Sequence, residues 1–220
     1  MKKLILCLTC LMTLPACDNS TVIPHRQLPA ATLPAATLPV ESRAEQEIMT
    51  ILEKGNLLGE RSRQVNAIRS VFRRRTSPDR ARQLAALCYT KTLDTPFMPF
   101  DLAEIALVET GGNRLSGRAV SPRGALGVWQ IMPHRAKSHG YTPGDMVNDE
   151  KCAEAAVREL YTKLEPAGGD LERAKRLYCG QGPQADGYLR KLKRYRNEMT
   201  AALARSAPLV TMAEPASRIR

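Results

Sequence analysis

A single glutamate, Glu109, stands at the end of an apolar run that predicts a buried helix. Residues 102–108 are apolar on nearly every helical face, and Gly111 and Gly112 follow at once to end the helix. Burial and the negative end of the helix dipole both disfavour the charged carboxylate, so the pKa of Glu109 should be raised. A carboxyl group that stays protonated near neutral pH suits general acid catalysis. The alternative is a surface glutamate at a frayed helix end, and the flanking motifs favour the acid.

Two motifs carry a resemblance to a known family. ETGGN begins at Glu109, and AVSPRGALGVWQIMP spans residues 119–133. They resemble the lytic transglycosylases of the soluble-lytic-transglycosylase (SLT) type, which share a Glu-Ser motif, a Ser-x-x-Gly-Ala-x-Gly-Leu-Met-Gln-Ile-x-Pro stretch and a later Ala-Tyr-Asn-Ala-Gly motif. Thr110 replaces the serine and keeps a hydroxyl, and Trp129 replaces a methionine and is expected to pack in the core. The similar region covers a little under half of the chain.

The resemblance implies a mainly α fold of the lysozyme-like α+β type. A helical catalytic domain over residues 96–200 is expected to carry at most a small β-hairpin, within the glycine-rich segment 111–124. Accessory helices are expected over residues 41–95, the first of them ending near Gly55 or Gly59. Apolar periodicity predicts the remaining helices, which are expected at 125–132, 149–164, 171–178 and 188–199.

The resemblance also assigns roles to residues around Glu109. Glu109 matches the catalytic acid of the family, and Ser121 and Gln130 match positions near this acid and along the glycan groove. Tyr178 matches a tyrosine that hydrogen-bonds the catalytic glutamate in relatives, although Cys179 replaces the asparagine that normally follows it. For Ser121, a structural role as a turn residue is an equally good interpretation.

The implied reaction needs only one carboxylate. In this family the C6 hydroxyl of N-acetylmuramic acid (MurNAc) attacks C1 and leaves a 1,6-anhydro end, whereas ordinary glycosidases use two carboxylates. Asp145, Asp149 and Glu150 lie in a stretch that is better explained as capping and starting a helix. We therefore expect a peptidoglycan lytic transglycosylase that cleaves the bond from MurNAc to N-acetylglucosamine (GlcNAc), with no cofactor.

Two other functions stay open. One is a hydrolase that resembles goose-type lysozyme and uses water as the nucleophile. The other is a non-catalytic wall-binding protein that helps to assemble a secretion or conjugation machine.

The first 16 residues have the pattern of an export signal. A basic start precedes a short apolar core that ends in Leu-Pro-Ala before Cys17. A small residue followed by cysteine resembles a bacterial lipobox, which predicts lipidation of Cys17 and a position on the periplasmic side of the cell envelope. Asp18 favours the inner membrane. The alternative is an ordinary secretory signal cut near Ala16.

Flanking segments and charge agree with a position at the envelope. Residues 17–40 contain the repeat LPAAT, whose regular prolines favour an extended tether. Residues 201–220 have little periodicity and are expected to be a disordered tail. The net charge of +11 suits phospholipid or anionic wall polymer. The arginine run at 73–75 is interpreted as a solvated face, because an exported protein meets little nucleic acid.

Three of the six cysteines would remain once the signal is removed and Cys17 is lipidated, namely Cys88, Cys152 and Cys179. Cys152 and Cys179 lie on adjacent predicted helices, and a disulfide between them would stabilise the fold by roughly 3–4 kcal/mol. Three free thiols are an equally good interpretation. No metal site is expected, because the three histidines lack ligand spacing with the cysteines.

Overall fold

The computed structural model describes residues 40–180 and 182–206, with side chains described from residue 45. The chain divides into two units between Arg43 and Ala44, and every contact discussed here lies within the second. The expected signal, Cys17 and the segment beyond residue 206 lie outside the described residues. Seven α-helices form the described part: α1 Val40–Phe72, α2 Pro78–Thr90, α3 Pro99–Thr110, α4 Pro133–Ser138, α5 Asp149–Leu164, α6 Leu171–Cys179 and α7 Gln184–Ser206.

Short polar side chains fix where several helices start. The Ser77 hydroxyl accepts a backbone N–H at the start of α2, and Asn148 and Asp170 do the same for α5 and α6. Each such cap is worth about 1 kcal/mol because it satisfies an otherwise unpaired donor. The helices predicted at 149–164 and 171–178 accordingly have almost the bounds that the sequence indicates.

Helix α3 is the central helix of the core. It packs against α7, α2 and α5, and five of its apolar side chains are at most 1% exposed: Leu102, Ala103, Ile105, Ala106 and Leu107. An apolar helix surrounded on several sides in this way confirms the prediction of a buried helix with Glu109 in its last turn. The mainly α fold class is also confirmed.

A cluster of buried charges joins the start of α3 to α6 and α7. The Lys175 ammonium on α6 lies 2.9 Å from Asp101 Oδ1 and 2.6 Å from Glu104 Oε1. Arg196 on α7 completes the cluster, 2.5 Å from Asp101 and 2.7 Å from Glu104. The short separation of Lys175 from Glu104 Oε1 marks a close ion pair, although its angles miss those of a hydrogen bond. Two cations thus compensate two carboxylates that are 4% and 2% exposed.

Helix α1 differs from the two helices that the sequence predicts there. It runs unbroken through Gly55 and Gly59 to Phe72. A glycine inside a helix costs only about 1 kcal/mol relative to alanine, so the two residues do not by themselves end it. The C-terminal half is held by buried side chains such as Ile68 and by Arg61, which donates to the carbonyls of Thr92 and Phe97.

The prediction of a helix at 125–132 is wrong. This segment is a series of turns, and the next helix, α4, begins at Pro133. Gly124, Gly127 and Gln130 have φ values of 82°, 76° and 52°, which no right-handed helix accommodates. Within the described residues there is no strand, and single antiparallel bridges join Val120 to Leu126 and Leu126 to Ile131. None of the helices in the described ranges is both long and apolar enough to cross a bilayer.

We predict that Lys175→Met destabilises the fold by about 3 kcal/mol or more, because it removes one of the two cations that neutralise buried Asp101 and Glu104. Urea unfolding at pH 7 would measure this loss. Glu172→Gln is the matched control, since it removes an outer partner of Lys175 that is 74% exposed. Equal stability of the two variants would contradict the importance of the cluster.

Candidate active site

Glu109 is the penultimate residue of α3 and is partly buried. Burial raises its pKa from the usual 4.5 to about 7, and the nearby Tyr188 hydroxyl and Lys191 ammonium oppose this rise. The raised pKa expected from the sequence is therefore present, with desolvation as its main cause. At neutral pH the group is protonated in a large fraction of molecules and can both donate and accept a proton.

Tyr188 is the residue whose hydroxyl acts most strongly on the Glu109 carboxyl group, and the sequence did not predict it. It lies on α7 with only 7% of its surface exposed, and its hydroxyl makes no hydrogen bond of normal geometry. The hydroxyl is nevertheless close enough to Glu109 to lower the carboxyl pKa. Lys191 follows three residues later and therefore lies on the same face of α7. The sequence did offer one signal for Tyr188, because a tyrosine within the apolar stripe of a helix needs a hydrogen-bond partner for its hydroxyl.

Thr110 fastens the turn segment to the end of α3. Its side chain is 2% exposed, and the hydroxyl lies 2.8 Å from the Val128 carbonyl oxygen, to which it donates. The Trp129 ring is fully buried and its Nε1 donates to the Leu102 carbonyl oxygen, which agrees with core packing. The hydroxyl next to the acid therefore has a structural role, holding the turns at 124–131 beside Glu109.

The turns at 124–131 lead into a groove of about 190 Å³, which Gln130, Tyr178 and Cys179 line in part. The Gln130 amide donates to the Gly127 carbonyl oxygen at 2.8 Å, which holds the side chain in place. Ser121 has no place among the groove residues, and its hydroxyl accepts from the Ala125 amide at 3.0 Å. This hydrogen bond agrees with the interpretation of Ser121 as a turn residue, and its role in substrate binding stays a prediction.

A partly buried acid at a helix end thus lies beside a turn held by a threonine and a tyrosine on the last helix. Comparison with known proteins identifies the domain that contains these residues. The family model of the transglycosylase SLT domain matches residues 92–199. This region of the chain belongs to the transglycosylase SLT domain family. The match covers Glu109, helices α3 to α6 and most of α7. No curated protein and no solved structure gives a significant match.

Within the SLT domain, Tyr178 does not make the hydrogen bond expected of it. Its hydroxyl donates to the Trp129 carbonyl oxygen at 2.8 Å instead of to Glu109. The left-handed backbone of Gln130 turns the chain just after this carbonyl, which leaves its oxygen free for Tyr178. Tyr178 still lies within electrostatic reach of Glu109, whose charge adds to burial in raising the tyrosine pKa. Its part in substrate binding therefore remains a prediction.

Carboxylates that follow Glu109 in the SLT domain have other partners. Asp145 accepts from Thr142 and Lys151, Asp149 pairs with Arg80 at 2.7 Å, and Glu150 pairs with Lys91 at 2.8 Å. These contacts agree with capping and packing around the start of α5. Among the described residues, no carboxylate contributes to the pKa shift of Glu109.

Cys88, Cys152 and Cys179 are free thiols, so the alternative of a Cys152–Cys179 disulfide is not what the structure contains. The Cys152 sulfur instead lies 3.9 Å from the Leu126 carbonyl oxygen, beneath the turns. Cys179 stays close to Glu109, whose charge adds to burial in raising the thiol pKa. In the described part of the chain, no three potential ligands form a group that would hold a metal ion.

We predict that Tyr188→Phe raises the pKa of Glu109 further, because it removes the hydroxyl that stabilises the carboxylate. The alkaline limb of the pH–rate profile for glycan cleavage should move to higher pH and the maximal rate should fall. Tyr178→Phe is the matched control and should leave that limb in place, while costing about 1 kcal/mol of stability for the lost hydrogen bond. If only Tyr178→Phe moved the alkaline limb, Tyr178 and not Tyr188 would be the residue that stabilises the Glu109 carboxylate.

Proposed function

We propose that this protein is a peptidoglycan lytic transglycosylase that cleaves the MurNAc–GlcNAc bond and leaves 1,6-anhydromuramic acid ends. The SLT domain supports glycan cleavage in peptidoglycan as the general activity. The 1,6-anhydro product is proposed because Glu109 is a single carboxyl group with a pKa of about 7. No other carboxylate among the described residues acts on its pKa. A site with one such group suits a reaction in which the substrate supplies its own nucleophile.

In the proposed reaction, protonated Glu109 gives its proton to the bridging oxygen as the bond from MurNAc C1 breaks. The resulting Glu109 carboxylate then accepts the proton of the MurNAc C6 hydroxyl as O6 bonds to C1. The GlcNAc hydroxyl leaves with the first proton, and Glu109 ends protonated as it began. No water enters the product. A pKa near the working pH serves both halves, because donation and acceptance are then nearly equal in cost.

We predict that Glu109→Gln lowers cleavage of purified sacculi by at least ~100-fold, the usual contribution of a general acid. Mass spectrometry of wild-type products should find muropeptides one water lighter than hydrolysed ends. Glu150→Gln is the matched control, a carboxyl change at a side chain that is 66% exposed. Hydrolysed ends would indicate the lysozyme-like hydrolase, and a cell function retained by Glu109→Gln would indicate a non-catalytic assembly protein.

We predict that Glu109→Gln also changes the pH dependence of stability, which can be measured without an activity assay. Because the pKa of Glu109 is raised from 4.5 to about 7 on folding, its contribution to stability is complete below about pH 4.5 and is lost as pH rises through 7. Glu109→Gln lacks this titration. Its free energy of unfolding should therefore increase relative to wild type between pH 5 and pH 8, as denaturant titrations at several pH values would measure. If the difference in free energy of unfolding between variant and wild type stayed constant from pH 5 to pH 8, the raised pKa would be contradicted.

We also propose that the protein is anchored by lipid at Cys17 to the periplasmic face of the envelope, with Asp18 favouring the inner membrane. Peptidoglycan lies in that compartment, and the sequence before Cys17 resembles the export signal of a bacterial lipoprotein.

We predict that Cys17→Ala releases the protein from the membrane fraction and removes the mass of the lipid from the mature chain. Cys10→Ala is the control, because Cys10 precedes the proposed cleavage site. Density-gradient separation of inner and outer membranes would test the effect of Asp18. An unchanged membrane fraction and mass for Cys17→Ala would contradict the anchor.

A further inference from the structure

The groove that Tyr178 and Cys179 line, both within electrostatic reach of Glu109, is also lined by another buried carboxylate, Glu159. Charge on either glutamate raises the Tyr178 pKa, so the tyrosine lies within reach of both. The walls of the groove include Arg135 and Lys163 as well as Glu159. This part of the groove takes no part in the proton transfers at Glu109 and needs its own explanation.

More positive charge surrounds Glu159 than its single carboxylate can neutralise. Lys163 Nζ lies 3.0 Å from Oε1, Arg135 Nε lies 3.6 Å from it, and His139 Nε2 lies 2.8 Å from Oε2. Burial alone would raise the pKa of Glu159, but the His139 hydrogen bond and the two cations outweigh it and lower the pKa. With the carboxylate ionised, Arg135 and Lys163 leave a net charge of +1 before any contribution from histidine.

The excess charge faces the groove. The Glu159 side chain is 7% exposed, whereas those of Lys163 and Arg135 are 15% and 38% exposed. The carboxylate therefore lies beneath the two cations, in contact with Lys163 Nζ and Arg135 Nε, and the cations are the more exposed partners. A guanidinium beside an ammonium is well suited to bind a carboxylate, by charge-assisted hydrogen bonds.

We infer that Arg135 and Lys163 bind a carboxylate of the peptide stem attached to the muramic acid at the cleavage site. This inference rests on the proposed function. The N-acetylated sugars of a glycan strand offer neutral hydroxyl and amide groups, and the lactyl acid of MurNAc is consumed in the amide bond to the stem. The free carboxylates of the polymer are therefore on its peptides. A groove of about 190 Å³ has room for one or two small residues of such a stem.

The inference predicts that the protein prefers glycan strands with stems to the same strands stripped of them by an amidase and then amidated at the lactyl carboxylates that the amidase frees. Arg135→Gln should lower kcat/KM about tenfold on strands with stems, the scale of one charge-assisted hydrogen bond. On stripped strands it should change kcat/KM by less than about twofold, which a role in folding alone would not produce. Lys137→Gln is the matched control, an exposed cation on the same short helix that does not line the groove.

Binding by Glu109→Gln separates this inference from the proposed activity. Fluorescently labelled strands with and without stems are titrated with Glu109→Gln alone and with the double variant that also carries Arg135→Gln. We expect a preference for strands with stems that the second substitution removes and that high salt weakens. Equal affinity for both strands, or an equal loss on both with Arg135→Gln, would overturn the inference. Absence of cleavage by the wild type together with this preference would instead reject only the proposed function.

Discussion

The geometry of the site depends on the buried ion cluster of Asp101, Glu104, Lys175 and Arg196. These four side chains come from α3, α6 and α7, and those same helices carry Glu109, Tyr178 and Tyr188. The hydrophobic effect is non-directional, whereas a buried ion pair requires its partners at a particular separation. Glu104 precedes Glu109 by five residues, a rise of about 8 Å along the helix. The cluster therefore sets the register of the three helices within a short distance of the acid, at a desolvation cost that its internal pairing offsets.

A second constraint places the turns that cover the end of α3. Gly127 has a φ of 76°, and a Cβ atom there would lie 2.3 Å from the Met146 carbonyl oxygen and 2.7 Å from the Cys152 sulfur. Any other residue would push the turn away from α5. Thr110 holds the opposite side of the same turn through the Val128 carbonyl. The next carbonyl, that of Trp129, accepts the hydrogen bond from the Tyr178 hydroxyl, so this tyrosine binds the turn and leaves Glu109 to Tyr188.

Local pattern was sufficient to predict the helices that have a cap and an apolar period, such as α5, and to predict the raised pKa of Glu109. It was insufficient where long-range contacts decide. Arg61 has no local sequence signal for burial, yet it is 4% exposed because the carbonyls of Thr92, Thr95 and Phe97 accept hydrogen bonds from it. Tyr188 was missed for the same reason, since only the packing of α7 on α3 brings its hydroxyl to the acid. The left-handed residues of the turns likewise have no local sequence signal beyond their glycines.

Burial raises the pKa of Glu109, and neighbouring polar groups lower it. The resulting value suits a group that is proposed to act first as an acid and then as a base. Burial alone would raise the pKa of Glu109 further, which would make the carboxyl group a weaker acid and its carboxylate a stronger base. Tyr188 and Lys191 lower the pKa, so burial prevails only as far as a value of about 7. Glycosidases that divide acid and nucleophile between two carboxylates can push the two pKa values apart. A site with a single carboxyl group cannot, because whatever makes it a stronger acid makes it a weaker base. The residues around Glu109 hold its pKa between these limits, where one side chain can serve both steps of the proposed reaction.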